Sequence, residues 1–345
     1  MDPWYCTREQ VKAALDSKET ARNNGQVDRA IGRGARSVDE QMHRRDGGFF
    51  PTVATRYFDW PTEYSSNGYR LWLDEHELIE LTSIEAGGTA ISGYLLEPRN
   101  DGPPYSSVDI NRSTSDTFMH GDIAQRRMQL VGVWGFWDRS EPAGALAAVV
   151  GDETTRTVTV TDSAAVGVGQ LIKVDSERMT VTAKSMVDTG QNLGADLGST
   201  VDAETVAVGS GAAFTIGEVV LVGAEKMLIV EIAGDNLIVK RKWDGSTLAA
   251  HTTGADVYAP RQLTVERGVR GTAAAAHSTA VAVVRQVVPD LIRDLNIAEA
   301  LVGLQQENAG YGRVIGSGDA QREASGKGLE DLRVLAYAAY GRKVF

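Results

Sequence analysis

Two histidines in a repeated stretch are the residues of this sequence with the clearest chemical potential. The repeat consists of Arg241, Gly245, His251 and Val257, which recur 26 positions later as Arg267, Gly271, His277 and Val283. Two identically placed imidazoles are suited to bind a metal ion or to act as a general base. They are also what a duplicated fold would leave behind, and in that case the two rings need not meet. The arrangement of the surrounding elements decides between these possibilities.

A second repeat lies upstream of the histidines. Residues 157–183 and 205–231 match at a shift of 48, with Glu177 and Gly169 recurring as Glu225 and Gly217. We call these two stretches the front segments, and 237–258 and 262–285, which contain the histidine repeat, the back segments. Their order along the chain is front, front, back, back, which is not the order of a tandem array.

This order predicts that one β module is nested inside another. The inner β module is expected over 187–261, and the outer one over 155–186 together with 262–285, interrupted at a hairpin tip where insertions are tolerated. His251 and His277 would then belong to different modules. We interpret them as structural residues that bond to backbone, and we predict no metal site.

Other patterns that could carry catalysis are incomplete. The stretch "DEHEL" at 74–78 lacks the second histidine that the zinc motif H-E-x-x-H requires. A single cysteine, Cys6, excludes an internal disulfide and most zinc sites. Carboxylates are plentiful, but no pair stands out in so acidic a sequence. We therefore expect neither an enzyme nor a cofactor.

The charge balance restricts the partners. The 35 basic and 46 acidic residues give a net charge of −11, which argues against a surface that grips DNA. A negative surface does allow DNA to slide past, because it repels the phosphate backbone. No apolar run is long enough to span a bilayer, and the first residues do not have the composition of a signal peptide.

Helical patterns bracket the chain. A first helix is predicted after the T-x-x-Q capping box of Thr7 and Gln10, with Cys6 and Val11 as its hydrophobic staple. A second is predicted over 25–45, although Gly32 and Gly34 weaken that prediction because glycine costs about 1 kcal/mol relative to alanine inside a helix. Its apolar stripe comprises Val27, Ile31, Val38 and Met42. The last two predicted helices have stripes of Leu291, Leu295, Ala298 and Val302, and of Leu329, Leu332, Ala336 and Ala339.

Strand patterns fill the middle of the chain. A β-rich segment is predicted over 49–140, ending in a loose joint at 138–144, and a long β tract follows over about 155–285. The predicted fold class is therefore α+β: a helical domain built from both chain ends (1–48 and 286–345) carries a large all-β insertion that includes two nested, small β-barrel-like modules. Trp134 is predicted to lie in a core, whereas Trp60 fits either a core or an interface.

Several stretches resemble a known family. "YCTREQVKAALD", "YLLEPRNDGPPY" and "VGVWGFW", with the C-terminal stretch from Glu299 to Arg342, are similar to head-to-tail connector (adaptor) proteins of long-tailed bacteriophages, of the type found in actinobacterial phages. The resemblance implies a structural protein of the virion neck, made in the host cytoplasm. It implies a homo-oligomeric ring of twelve copies that binds the portal protein and further neck or tail-completion proteins. DNA would pass through its lumen without specific binding, and no membrane or catalytic residue would be involved.

The expected portal or subunit interface lies mainly near the C-terminus. Its candidate residues are Leu332, Tyr337, Tyr340, Arg342, Phe345 and Trp60. The alternative function is a virion decoration or host-surface binding protein that acts through its β modules. Glycan recognition would require exposed Trp or Tyr side chains, and residues 155–285 contain only Trp243 and Tyr258 of these types.

Overall fold

The computed structural model describes residues 2–14, 24–44, 48–61, 68–120, 123–308, 314–315, 322–323 and 327–342. These residues form a mixed α+β protein that divides into two compact units. Unit 1 comprises Met1–His43, Ser140–Val269 and Ala273–Gly341, and unit 2 comprises Arg44–Arg139, Arg270–Thr272 and Arg342–Phe345.

The α-helices all belong to unit 1. They are α1 (Arg8–Ala14), α2 (Asn24–Gln41), α3 (Asp290–Asn308) and α4 (Lys327–Tyr340). Helices from the two ends of the chain pack together, with α2 against α3. None of the helices in the described ranges is both long and apolar enough to cross a membrane.

The capping box predicted for the first helix is confirmed. The Gln10 side chain accepts a hydrogen bond from the Thr7 backbone N–H at 2.9 Å, and the Thr7 hydroxyl accepts one from the Gln10 N–H at 3.1 Å. Cys6 and Val11 are both fully buried in one hydrophobic cluster. The sequence pattern therefore fixes both the start of α1 and its inward face.

The two glycines that weakened the prediction of α2 have a packing role. The apolar stripe of this helix is fully buried, as predicted. A Cβ atom at Gly34 would lie 2.8 Å from Nδ2 of Asn296 and 3.1 Å from Cβ of Glu299, both on α3. A Cβ at Gly32 would lie 3.2 Å from the indole nitrogen of Trp4. Glycine lowers the stability of a helix relative to alanine, but at these two positions its lack of a side chain lets α3 and the N-terminal segment approach the helix axis closely.

The predicted inward face of α3 was partly wrong. Leu295 is fully buried, but Leu291, Ala298 and Val302 are only partly buried. The fully buried positions are Ile292, Leu295, Asn296, Ala300 and Leu304. The amide of Asn296 accepts a hydrogen bond from the Tyr5 N–H and donates one to the Ile31 carbonyl, both at 3.2 Å. The buried face was not predicted correctly because Asn296, a polar residue, lies at its centre and interrupts the apolar pattern.

Unit 2 contains two antiparallel sheets. Its strands are β1 (Thr52–Phe58), β2 (Arg70–Trp72), β3 (Leu78–Ala86), β4 (Thr89–Ala90), β5 (Tyr94–Glu97), β6 (Ser107–Ile110) and β7 (Met128–Trp134). One sheet has the order β1-β7-β3-β4 and the other β2-β6-β5. Trp134 is buried in the core of this unit, as predicted, and Trp60 is half-buried against the same cluster.

The long β tract forms one sheet rather than two separate barrels. Its strands are β8 (Arg139–Ala145), β9 (Thr157–Thr159), β10 (Leu171–Val174), β11 (Glu177–Asn192), β12 (Thr205–Ala207), β13 (Val219–Val222), β14 (Glu225–Ala233), β15 (Asn236–Lys240), β16 (Asp256–Glu266) and β17 (Ala282–Val287). Nine run in the order β12-β15-β14-β13-β16-β11-β10-β17-β8, and β9 pairs with β16. No closed barrel is found among the described strands. Short 3-10 helices occupy Gly211–Ala213 and Trp243–Gly245.

Two sequence predictions about connecting segments need correction. The loose joint predicted at 138–144 is largely strand β8, which pairs with β17 at the edge of the sheet. The glycine-rich stretch between α3 and α4 contains β18 (Val314–Ile315) and β19 (Arg322–Glu323), which pair with each other. The rest of that stretch lies outside the described residues. Strand β8 was missed because its exposed positions carry Arg139, Ser140, Glu141 and Pro142, a composition suited to an unpaired sheet edge.

The pairing links each front segment to one back segment. In the first front segment, β10 pairs with β17, with Ile172 opposite Arg285. In the second, Leu221 of β13 pairs with Tyr258 of β16. The buried apolar residues also separate into two clusters, one that includes Met179 and Val283 and another that includes Met227 and Val257.

Candidate functional site

Helix α4 is attached to the helical core by both apolar and ionic contacts. Leu329 and Ala336 are buried. The guanidinium of Arg333 donates two hydrogen bonds to the carboxylate of Glu299 on α3, at 2.8 and 3.0 Å. Gln41 at the end of α2 donates to the same carboxylate at 2.8 Å. Glu299 therefore connects α2, α3 and α4, and its hydrogen bonds raise the pKa of Arg333.

The same helix exposes large apolar side chains on its other side. Val334 is 64% exposed, Leu335 60% and Tyr337 45%. We call these three residues the C-terminal helix surface. The ring of Tyr337 also contacts that of His43 edge-on, with 5.6 Å between the ring centroids. Neighbouring exposed apolar residues on a helix that is anchored to the core are typical of a surface covered by a partner.

The predicted interface residues are only partly in that surface. Tyr337 belongs to it, whereas Leu332 and Tyr340 are half-buried. Arg342 is assigned to unit 2, where it donates a hydrogen bond to the backbone carbonyl of Glu75 at 2.5 Å. Trp60 also lies in unit 2. Phe345 lies outside the described residues.

Val334 and Leu335 were missed by the sequence prediction. The stripe predicted for α4 begins at Leu329 and ends at Ala339, of which Leu329 and Ala336 are buried and Ala339 is exposed. Val334 and Leu335 are apolar but lie outside the main apolar stripe of the helix, and this position in the sequence could have predicted their exposure. Their presence indicates that a helix has a second apolar side.

The repeated histidines occupy two equivalent buried clusters. In the first, the Glu177 carboxylate accepts hydrogen bonds from Nε and Nη2 of Arg267 at 2.6 and 2.7 Å. It also accepts bonds from the backbone N–H groups of Gly268 and Ala275, and it lies 2.8 Å from Nε2 of His277. In the second, Glu225 has the same partners at equivalent positions: Arg241, Lys242, Ala249 and His251.

In both clusters, each oxygen of the glutamate carboxylate has hydrogen-bond partners. Both carboxylates are fully buried. Burial alone would raise the pKa of each, but hydrogen bonds from the arginine, the histidine and the two backbone N–H groups lower it to about 2. Each histidine meets the glutamate of its own cluster, and no group of three His, Cys, Asp or Glu residues suited to a metal is present in the described part of the chain. The prediction that the imidazoles bond to backbone was wrong: both ring nitrogens of His277 and Nε2 of His251 face carboxylates.

The clusters differ in one respect. Nδ1 of His277 lies 2.9 Å from the Asp175 carboxylate. Gly223 stands at the position equivalent to Asp175, 48 residues further along the chain. The first histidine thus lies between two carboxylates, and the second has one.

The "DEHEL" stretch also contains no catalytic arrangement. His76 accepts a hydrogen bond through Nε2 from Arg56 at 3.0 Å. Burial, with the nearby positive charges of Arg56 and Arg342, lowers the pKa of His76 to about 4. The ring is therefore neutral near pH 7 and packs edge-on against Phe58 and Trp134.

Comparison with known proteins returned no match: no protein-family model, curated protein or solved structure resembles the chain significantly.

Proposed function

We propose that this chain is a structural protein of the bacteriophage neck, which forms a ring that joins the portal to the tail and extends the DNA channel. The C-terminal helix surface is the observation that carries the proposal. A helix held by the Arg333–Glu299 ion pair, with Val334 and Leu335 largely exposed, is suited to pack against another protein. We assign that partner to the portal.

The arrangement of the chain supports this assignment. Helices α2 and α3 come from opposite ends of the sequence and pack on each other, and most of the β strands lie between them in the chain order. A ring of identical subunits requires a heterologous interface that closes by rotation, and a compact helical base is suited to repeat around such an axis. The net charge of −11 suits a lumen through which DNA moves without adhering.

We further infer that the β tract consists of one small module nested in another. The two separate buried clusters and the equivalent Glu177 and Glu225 sites support this inference. A polar contact joins the two modules: Glu218 of the inner module accepts a hydrogen bond at 2.5 Å from Ser163 of the outer module. Within the inner module, Arg261 donates to the same carboxylate at 2.7 and 2.8 Å. In a neck ring such modules would decorate the outside or contact neighbouring subunits.

Burial disfavours the alternative of a host-surface binding protein. Trp243 and Tyr258 are both half-buried. Carbohydrate recognition would use such side chains as fully open stacking platforms, and in the β tract the two residues of these types are partly covered.

The proposal is tested in virions of the phage that encodes the chain. Cryo-electron microscopy of the neck should reveal the chain as a ring directly below the portal, with α4 at the contact. The double variant Val334→Asp/Leu335→Asp should then leave DNA-filled heads unjoined to tails and lower the yield of infectious particles at least a hundredfold. Both positions are exposed, so folding should be unaffected, which circular dichroism of the purified variant would check.

Val201→Asp is the matched control, because Val201 is 60% exposed but lies in the β tract. This variant should assemble normally. The proposal fails if the chain is absent from the neck, or if heads and tails join normally in the double variant.

A further inference from the structure

The two front segments contain the same turn, with the same backbone geometry. In the first, the turn is Gly167–Gly169, and the Gly169 N–H donates to the Val181 carbonyl at 2.7 Å. In the second, 48 residues on, it is Thr215–Gly217, and the Gly217 N–H donates to the Ile229 carbonyl at 2.8 Å. The last glycines have φ values of +87° and +88°. The turns are therefore directly comparable binding surfaces.

The first turn is covered by the N-terminal segment of the chain. The Trp4 backbone N–H donates to the Gly169 carbonyl at 2.7 Å. The indole lies on the glycine so closely that a Cβ atom there would be 2.1 Å from a ring carbon. Val168, at the turn apex, is 2% exposed and packs with Val11 and Ala300. An indole, a backbone donor and a helix thus cover this turn completely.

None of the described residues covers the second turn in this way. Ile216, equivalent to Val168, is 57% exposed, and Gly217 is also exposed. A Cβ atom at Gly217 would meet only Ala164, at 3.7 Å. Within the described part of the chain, no donor lies within hydrogen-bonding distance of the Gly217 carbonyl. The glycine, the apolar apex and the free carbonyl that hold Trp4 on the first turn are all present here and open to solvent.

We propose that the Thr215–Gly217 turn binds a tryptophan-bearing segment of another protein chain. The segment would lay its indole on Gly217, donate a backbone N–H to the Gly217 carbonyl and cover Ile216 with an apolar side chain. This chemistry is read from the first turn, where the protein itself provides the occupant. It is independent of the portal contact on α4, because the residues involved lie in the β tract.

The probe is a synthetic peptide of residues 2–14 with Cys6→Ser and a fluorescent label, titrated with the full-length protein and followed by anisotropy. We expect saturable binding. Ile216→Asp should weaken it at least tenfold, because it places a charge where the apolar cover lies. Ile216→Val should retain binding, because valine occupies the apex of the first turn. The same peptide with Trp4→Ala should not bind.

Val201→Asp serves again as the control, since it adds a charge at an exposed apolar position elsewhere in the inner module (187–261). It should leave the affinity unchanged. Binding that survives Ile216→Asp would mean that the peptide exchanges with the intramolecular Trp4 on the first turn, and this would overturn the proposal. An absence of binding by the peptide would overturn it as well. Thermal unfolding of each variant would verify that the fold is intact.

Discussion

Nε2 of His277 lies 2.8 Å from Oε2 of Glu177, although the two residues are 100 positions apart in the sequence. The equivalent pair, His251 and Glu225, lies at 3.0 Å and is separated by only 26 positions. One local contact and one long-range contact thus have the same geometry. The order of the repeated segments along the chain, front, front, back, back, accounts for this difference in separation.

Removal of the charge of Glu177 should destabilise the protein strongly. Glu177→Gln leaves the guanidinium of Arg267, 95% buried, without its anion. Loss of one partner of a buried ion pair costs about 3 to 5 kcal/mol. Urea denaturation followed by circular dichroism would measure the free energy of unfolding. Glu231→Gln, at an exposed position of β14, should change it by less than about 0.5 kcal/mol; equal effects of the two substitutions would contradict this account.

Stability should fall as the pH falls from about 4.5 toward 2. The pKa of Glu177 and that of Glu225 are about 2 in the folded protein, against an ordinary value of 4.5. Between these values the unfolded chain takes up protons that the folded protein does not, so acid favours unfolding. A shift of this size corresponds to roughly 3 kcal/mol per carboxylate. Urea denaturation between pH 2 and 6 would measure the slope, which should be shallower in Glu225→Gln; an unchanged slope would contradict the assignment.

The parts of the fold that could be predicted are those set by local sequence. The Thr7–Gln10 capping box and the apolar stripe of α2 depend on residues within a few positions of each other. The role of Gly34 depends on Asn296, 262 positions away. No local pattern reveals a close approach of that kind, and glycine is unfavourable by propensity alone.

The candidate site was predictable to a similar extent. Tyr337 was included in the expected interface because it is aromatic and near the C-terminus, and it is exposed in the structure. The exposure of Val334 and Leu335 was not predicted because only one apolar stripe of α4 was considered. Arg342 and Trp60 were grouped with Tyr337, although they belong to unit 2. The partnership of His277 with Glu177 was within reach, since both residues recur in the repeats. To predict this contact, the expected nesting of the repeats would have had to be used to match side chains as well as strands.

Gly34→Ala should destabilise the protein, although alanine is the better helix former. The added methyl group would lie 2.8 Å from Nδ2 of Asn296, so α3 would have to shift, at a cost of about 1 to 3 kcal/mol. Gly303→Ala on α3 is the matched control, because no heavy atom lies within 4 Å of a Cβ there. It should be neutral or stabilise by up to about 1 kcal/mol. Chemical denaturation of both variants measures the difference, and a stabilising Gly34→Ala would show that the helices are not in close contact.

Asn296→Ala should loosen the N-terminal segment and make Cys6 reactive. The amide of Asn296 satisfies the Tyr5 N–H and the Ile31 carbonyl, and its oxygen accepts from the Cys6 thiol at 3.3 Å. Leaving buried groups unpaired costs about 1 to 3 kcal/mol. In the native protein Cys6 is fully buried, and burial raises the pKa of its thiol, so a thiol reagent should label it only when the segment opens.

The labelling rate under native conditions therefore measures that opening directly. Asn296→Ala should raise it by roughly five- to 150-fold, because each 1.4 kcal/mol lost from the free energy of opening changes the rate about tenfold. Asn192→Ala, which removes an exposed amide from β11, should leave the rate unchanged. Rapid labelling of the unsubstituted protein would show that the segment carrying Trp4 is not held on α2 and α3. In that case the first turn, Gly167–Gly169, would no longer serve as a guide to the ligand of the second.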